Sequence, residues 1–288
     1  MKVHEVIAQF RNSLLTFYEA GELDQLIYLC FEDVVGFTKT DLVTRRNELL
    51  SSVAVDSFMK VLSGLESGMP VQYVLGHAWF YGMKLKVSPA VLIPRQETEE
   101  LVEWILKDAL QKKPGSGASI LDLCTGSGCI ALALKKQLPE FHVDALDNSE
   151  LALDIAKSNA EMLGLKVSFI HYDLLKEKYI KLPGDTKYDF VVCNPPYVTL
   201  TEKSEMHTRV KDFEPHTALF VEDDDPLLFY RRILSSVHTF IKAGGSIYFE
   251  INEALSEGVQ SLTVNSGFQQ VELRKDMNDK WRMIKVSN

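Results

Sequence analysis

The sequence predicts an α/β protein in which a mostly parallel sheet, covered on both faces, follows a small helical domain. Three observations carry this. From Ser119 onward, short apolar runs of strand length alternate with amphipathic helical stretches, the pattern of parallel strands joined by helical crossovers. Before Pro70, apolar residues recur at intervals of three and four, and strand-like alternation is absent. Between the two, Pro70 to Pro94 is punctuated by Gly76, Gly82 and Pro89 and is rich in Val, Leu and aromatic residues. This suits short strands around a turn.

Each element has its own warrant. Val3, Val6, Ile7, Phe10, Leu14 and Phe17 share one helix face, Leu23, Leu26 and Ile27 begin a second, and Val55, Phe58, Val61, Leu62 and Leu65 mark a third that Gly68 and Pro70 end. Trp79-Phe80-Tyr81 and Lys84 to Val87 form the expected hairpin. A helix comes next with Thr98 as N-cap, Glu99 and Glu100 in its first turn, and Leu101, Val102, Ile105 and Leu106 buried. Strands are expected at Ser119 to Cys124, Phe141 to Asp147, Val167 to His171, Tyr188 to Cys193 and Ser246 to Ile251. Helices are expected at Ile130 to Lys136, Leu151 to Leu163 and Leu227 to Ile241. Gln270 to Leu273 and Trp281 to Val286, joined by a polar turn, read as a terminal hairpin that makes the last pair antiparallel. The change in periodicity divides the chain into a helical domain at 1–75, a hairpin linker at 76–94 and an α/β domain at 95–288.

Composition narrows the function. The chain has 288 residues, with 46% hydrophobic and 25% charged, enough for a sizeable core and unlike a disordered segment. Its 31 basic and 40 acidic residues leave a formal charge of −9. That disfavours a non-specific grip on nucleic acid, which needs clustered Lys and Arg. Cys30, Cys124, Cys129 and Cys193 form no C-x-x-C pair and read as reduced thiols. The start of the chain lacks the pattern of a signal peptide, and no apolar run approaches the ~18 residues of a membrane span. The expectation is a cytoplasmic protein, monomeric, with no membrane or stable nucleic-acid partner.

Ligands of open α/β sheets bind beyond the carboxyl ends of the strands, so the residues just past each strand carry the chemistry. After the first strand comes Cys124-Thr125-Gly126-Ser127-Gly128, where glycine lets the backbone approach a ligand. A plain tight turn gives the same pattern. The second strand ends at Asp147, about 20 residues beyond the glycine turn and so placed for ribose hydroxyls; a helix N-cap is the alternative. The third runs into Asp173-Leu174, suited to an adenine amino group and ring face. The fourth ends in Asn194-Pro195-Pro196-Tyr197. Here two prolines fix the backbone. The Asn194 side-chain oxygen and the Pro195 carbonyl can accept both hydrogens of one planar NH₂ group, and Tyr197 offers an aromatic surface for a flat group. The scattered histidines and other donors have no convincing metal-ligand spacing, so no metal is expected.

Together these stretches resemble the class I S-adenosylmethionine-dependent methyltransferases whose N-P-P-Y members modify planar nitrogens. Pro70 to Gly76, Val91-Leu-Ile-Pro-Arg95-Gln-Glu97-Thr-Glu99, Asp212-Phe-Glu214-Pro215, Ala218-Leu219 and Phe229-Tyr-Arg231 narrow the likeness. With them the sequence resembles the HemK (PrmC) family, protein-glutamine N5-methyltransferases of peptide-chain release factors. The resemblance runs from about Pro70 to the C-terminus. It implies a Rossmann-like, mostly parallel seven-stranded sheet and S-adenosylmethionine as cofactor, with S-adenosylhomocysteine as product. Thr125 to Gly128, with Cys124, would cradle the methionine part, Asp147 the ribose, and Asp173 and Leu174 the adenine. Asn194 and Pro195 would hold the substrate amide, with Pro196 and Tyr197 shaping the slot. Arg95, Glu97 and Glu214 would brace the mouth, unless they form only a structural salt-bridge network. The helical domain would recognise the body of a class I release factor. Two departures stand out: Cys124 replaces the family's usual Gly, and Val221 to Pro226 replaces a glycine-rich segment. The competing readings are a nucleic-acid methyltransferase acting on adenine N6 or guanine N2, and a non-catalytic binding module.

Overall fold

A computed structural model describes residues 1–112, 117–176, 180, 182 and 186–287. In chain order the helical stretch contains α1 (Val3–Leu14), α2 (Ala20–Val35), α3 (Lys39–Thr44), α4 (Ser52–Glu66) and α5 (Val71–Leu75). A hairpin comes next, β1 (His77–Phe80) and β2 (Met83–Lys86), then α6 (Gln96–Lys112), β3 (Ser119–Leu123), α7 (Cys129–Gln137), β4 (His142–Asp147), α8 (Glu150–Leu163), β5 (Ser168–His171) and β6 (Tyr188–Cys193). Beyond β6 come β7 (Val198–Thr199), α9 (Thr208–Phe213), α10 (His216–Leu219) and β8 (Phe220–Val221). The chain closes with α11 (Leu228–Ser236), β9 (Ile241–Glu250), α12 (Ser256–Asn265), β10 (Gln270–Lys275) and β11 (Trp281–Ser287).

The described chain forms two compact units, Met1–His77 with His207–Phe213, and Ala78–Met206 with Glu214–Asn288. The first has its own core, in which Val3, Val6, Phe10 and Leu14 of α1 meet Phe31 of α2 and Phe58 of α4. Phe17 departs from the expected face. It is 54% exposed because α1 has already ended at Leu14. The His207–Phe213 segment packs as part of this unit. Arg209 donates to Glu22 Oε1 at 2.9 Å and to the Phe17 carbonyl at 2.7 Å, and its guanidinium lies 3.7 Å from the centre of the Tyr18 ring.

The second unit is built on a seven-stranded sheet of order β10-β11-β9-β6-β3-β4-β5. β3, β4, β5, β6 and β9 pair in parallel, while β11 is antiparallel to both of its neighbours. Strand periodicity explains the two cores. Phe190 and Val192 of β6 and Tyr248 of β9 enter one apolar layer with α6 and α7. Val191, Cys193, Ile247 and Phe249 enter the opposite layer with α11. Burial of both faces is why these strands are continuously apolar.

Several expectations need correction. Thr98 is not an N-cap, because α6 already starts at Gln96 and the Thr98 hydroxyl is used elsewhere. Leu151, whose spacing predicts a face shared with Ala152, Ile155, Ala156 and Asn159, is 67% exposed, although those four are buried. The helix expected to reach Ile241 ends at Ser236 and gives way to a 3₁₀ turn, Val237–Thr239. There the Thr239 hydroxyl donates to the Ser236 carbonyl at 2.7 Å, a local bond that competes with the helix ladder. β9 accordingly starts at Ile241.

Candidate functional site

At the carboxyl edge of the parallel strands lies a cleft of about 960 Å³, including space open to solvent. Its walls come from the turns after β3, β4, β5 and β6, with the Val91–Arg95 segment and Phe229. This is where such a sheet presents ligand-binding loops.

The β3 turn is built chiefly from backbone. Cys124 and Gly126 have positive φ, 60° and 54°, and nothing lies within 4 Å of where a Gly126 Cβ would sit. Thr125 donates its hydroxyl to Asp122 Oδ2 at 2.6 Å, and the Ala131 N–H donates to the same oxygen at 3.2 Å. The other oxygen of Asp122 is buried without a partner. Burial therefore pushes the Asp122 carboxyl up to about 7, against the pull of those two bonds. The Gly126 N–H reaches across to Asp147 Oδ2 at 2.8 Å. Asn159 ties the loop from behind by donating to the Ser127 carbonyl at 3.0 Å, while its side-chain oxygen accepts from the Lys86 N–H at 2.7 Å. Gly128 does not line the cleft. A Cβ there would sit 3.1 Å from Ala156 Cβ and 3.2 Å from Leu132 Cδ1, so this glycine serves packing between α7 and α8.

Asp147 lies on the cleft wall and accepts from the Gly126 and Ser149 N–H groups. It is not the N-cap of α8; that residue is Ser149, whose hydroxyl accepts from the Ala152 N–H at 3.2 Å. Burial raises the Asp147 carboxyl and the backbone donors oppose it. Asp173 and Leu174 share the wall, and Arg232 holds the Leu174 carbonyl at 2.8 Å. The donor set fits S-adenosylmethionine. Asp147 keeps lone pairs for a ribose diol, Asp173 offers an acceptor of the kind an exocyclic amino group needs, Leu146, Tyr172 and Leu174 supply apolar surface, and the open face of Gly126 leaves room for the amino-acid end.

The β6 turn is built from side chains. Cys193 pairs with Phe249 across the parallel β6/β9 ladder, so Asn194 and Glu250 leave adjacent strands side by side. Glu250 is fully buried and accepts the Thr98 hydroxyl at 2.6 Å and the Tyr197 hydroxyl at 2.9 Å. Burial raises its carboxyl, while the two hydroxyls and the Arg282 charge pull it back. Thr98 in turn accepts from Asn194 Nδ2 at 3.3 Å. Asn194 and Pro196 line the cleft, and Pro195 and Tyr197 belong to the same turn without being among its lining residues. Arg95 lines the cleft and donates to Glu214 Oε1 at 2.5 Å, and the Ile93 N–H donates to the other Glu214 oxygen at 3.1 Å. Glu97 is not brought to the mouth. Its partner is the Asn278 amide at 3.4 Å.

Asp122, Asn159, Thr98 and Glu250 are not evident as site residues in the sequence. Asp122 stands in plain view beside the glycine turn. Thr98 and Glu250 are 152 positions apart, and only the pairing of β6 with β9 brings them to Asn194.

This chain is similar to known proteins along its whole length. The family described as PrmC N-terminal domain matches residues 5–76, and the Methyltransferase small domain matches residues 102–212. A release factor glutamine methyltransferase of Flavobacterium psychrophilum is 38% identical over 100% of this chain and 99% of its own length. One from Bacteroides thetaiotaomicron is 39% identical over 98% of this chain and 99% of its own length. The crystal structure of the hMettl16 catalytic domain, in complex with MAT2A 3'UTR hairpin 6, shares the fold with a TM-score of 0.53 at 16% identity, covering 81% of each chain.

Proposed function

We propose a specific methyl transfer for this chain, which belongs to the release factor glutamine methyltransferase family. It moves the methyl group of S-adenosylmethionine to the side-chain amide nitrogen, N5, of the glutamine in the Gly-Gly-Gln motif of class I peptide-chain release factors. The observation that carries this assignment to the cleft is Asn194. Asn194 lines the cavity and its side-chain nitrogen is already committed to Thr98, so its side-chain oxygen is the acceptor left for a planar amide.

Thr125 to Ser127, Asp147, Asp173 and Leu174 hold the cofactor, which when bound supplies a methyl group on a positively charged sulfur. An amide nitrogen attacks poorly because its lone pair is delocalised into the carbonyl. Asn194 Oδ1 and the Pro195 carbonyl accept its two hydrogens, fix the plane of the group and favour the positive charge that develops as the nitrogen gives up its pair. Pro196 and Tyr197 set the width of the slot, and Arg95 with Glu214 keeps its mouth open. The proton leaves from nitrogen toward these acceptors or to water.

Residues 1–75 recognise the body of the release factor, residues 76–94 link, and residues 95–288 catalyse. The enzyme acts as a monomer in the cytoplasm, in support of translation termination, without a stable nucleic-acid partner. A formal charge of −9 supports the last point, and no helix among the described residues is long and apolar enough to cross a membrane. The test is mass spectrometry of a release factor incubated with the full chain and isotopically labelled S-adenosylmethionine. Label on the Gly-Gly-Gln glutamine is expected. Cofactor binding without label on that residue would overturn the reading.

A further inference from the structure

The buried carboxylate of Glu250 has no access to the cleft, yet it stands one side chain away from the group assigned to the substrate. We propose that Glu250 and Thr98 act as positioning residues that set which end of the Asn194 amide faces the substrate. The proposal rests on the assignment of Asn194 to the substrate amide.

The argument is one of donor and acceptor counting. An ionised carboxylate has no hydrogen to give, so both of its contacts must be donated to it. Thr98 therefore spends its single hydroxyl hydrogen on Glu250 Oε2, at 2.6 Å. The Thr98 oxygen can then only accept, and the neighbour within reach is Asn194, at 3.3 Å. An amide oxygen at that place would face an oxygen with no hydrogen to offer. The Asn194 NH₂ must point to Thr98, and Oδ1 is left toward the cleft. The orientation matters because the two ends of an Asn side chain are almost the same shape and opposite in polarity. With the amide reversed, an N–H would meet the hydrogens of the incoming NH₂ group and repel them.

Burial, with the Glu97 charge, raises the Glu250 carboxyl, and three features oppose this and favour the ionised form that this logic requires. Tyr197 donates to its second oxygen at 2.9 Å. The Arg282 guanidinium favours the charge. Thr98 sits in the first turn of the long helix α6, whose N-terminal end is positive. Thr98 and Glu250 are 2% and 1% exposed, so water does not replace either bond. The same carboxylate thus anchors both ends of the Asn194 to Tyr197 turn, Asn194 through Thr98 and Tyr197 directly.

The test uses the full chain with Thr98→Val, which keeps the shape and removes the hydroxyl, Thr98→Ser, which restores it, and Glu250→Gln. The readouts are kcat and KM for release-factor methylation, and the Kd of S-adenosylhomocysteine by calorimetry. Thr98→Val is expected to lower kcat by roughly tenfold to a hundredfold, the scale of a misoriented reacting group. KM and Kd should stay within about threefold, and Thr98→Ser should return kcat to within about threefold of the parent. Glu250→Gln should also lower kcat, since its NH₂ end cannot accept one of the two hydroxyls. A Thr98→Val enzyme as fast as the parent overturns the proposal. So does a loss that Thr98→Ser fails to repair, or a cofactor affinity that falls in step with kcat, either of which indicates packing alone. Should Thr98→Val not fold, Glu250→Gln at parental kcat overturns it equally. A parent chain that labels no glutamine contradicts the assigned function instead.

Discussion

The turns after β3 and β6 leave neighbouring parallel strands at the same edge of one sheet, yet they are held in opposite ways. The β3 turn lines the cleft with a backbone at φ values of 60° for Cys124 and 54° for Gly126, and the neighbouring carboxyl, Asp122, bonds back to Thr125 and Ala131. The β6 turn presents Asn194, whose side-chain nitrogen is held by Thr98, and Thr98 and Tyr197 both donate to Glu250. A backbone cradle accepts a change of side chain so long as φ is allowed and the space stays open. A side-chain relay fails when any donor becomes an acceptor. The cofactor half should therefore be tolerant and the amide half brittle.

The largest expected break is Asn194→Ala. Loss of a preorganised acceptor should lower kcat by about 10²–10³, while calorimetry finds cofactor affinity changed by less than about threefold. A comparable loss of cofactor affinity would erase the contrast between the two turns.

A smaller and different effect is expected at Asp122. Its folded-state pKa of about 7 lies above the ordinary value of 3.8. Between those values the folded chain holds a proton that the unfolded chain has released, so this group makes stability fall as pH rises and stops doing so above about 7. Asp122→Asn cannot titrate. Denaturant melts should find the variant gaining on the parent as pH rises toward about 7 and the gap levelling off above it. A pH-independent difference would show that Asp122 is already ionised in the fold. Cofactor affinity should weaken only modestly, since the Thr125 hydroxyl and Ala131 N–H retain an acceptor.

The smallest effect is expected at Cys124→Gly. Glycine relieves the left-handed strain of a side chain at φ 60° but adds freedom to the unfolded chain. The two offset, and the midpoint and cofactor affinity should barely move. A large gain in affinity would show that the thiol obstructs the cradle.

The same contrast decides how much of the site is legible in the sequence. Asn194-Pro195-Pro196-Tyr197, the glycine turn, Asp147 and Asp173-Leu174 are local patterns at or just beyond strand ends, and strand ends are legible from apolar periodicity. The partners behind them are not. Recognising Asp122 requires that Thr125 and Ala131 fold back on it, and recognising Glu250 requires the pairing of β6 with β9, a contact no spacing along the chain reports. Thr98 is misread as a cap for the same reason. Its place before an acidic helical run suits that role, and only tertiary contact diverts its hydroxyl to Glu250. Glu97, which the family resemblance implies at the mouth, instead meets Asn278.

The central claim, that the β6 turn presents a fixed acceptor to a planar amide, is tested most directly by a crystal structure with S-adenosylhomocysteine and a Gly-Gly-Gln peptide bound. The account predicts the glutamine amide nitrogen within about 3.2 Å of both Asn194 Oδ1 and the Pro195 carbonyl, with Asn194 Nδ2 still on Thr98. A glutamine seated elsewhere in the cleft, or an amide nitrogen facing Asn194 Nδ2, would contradict it.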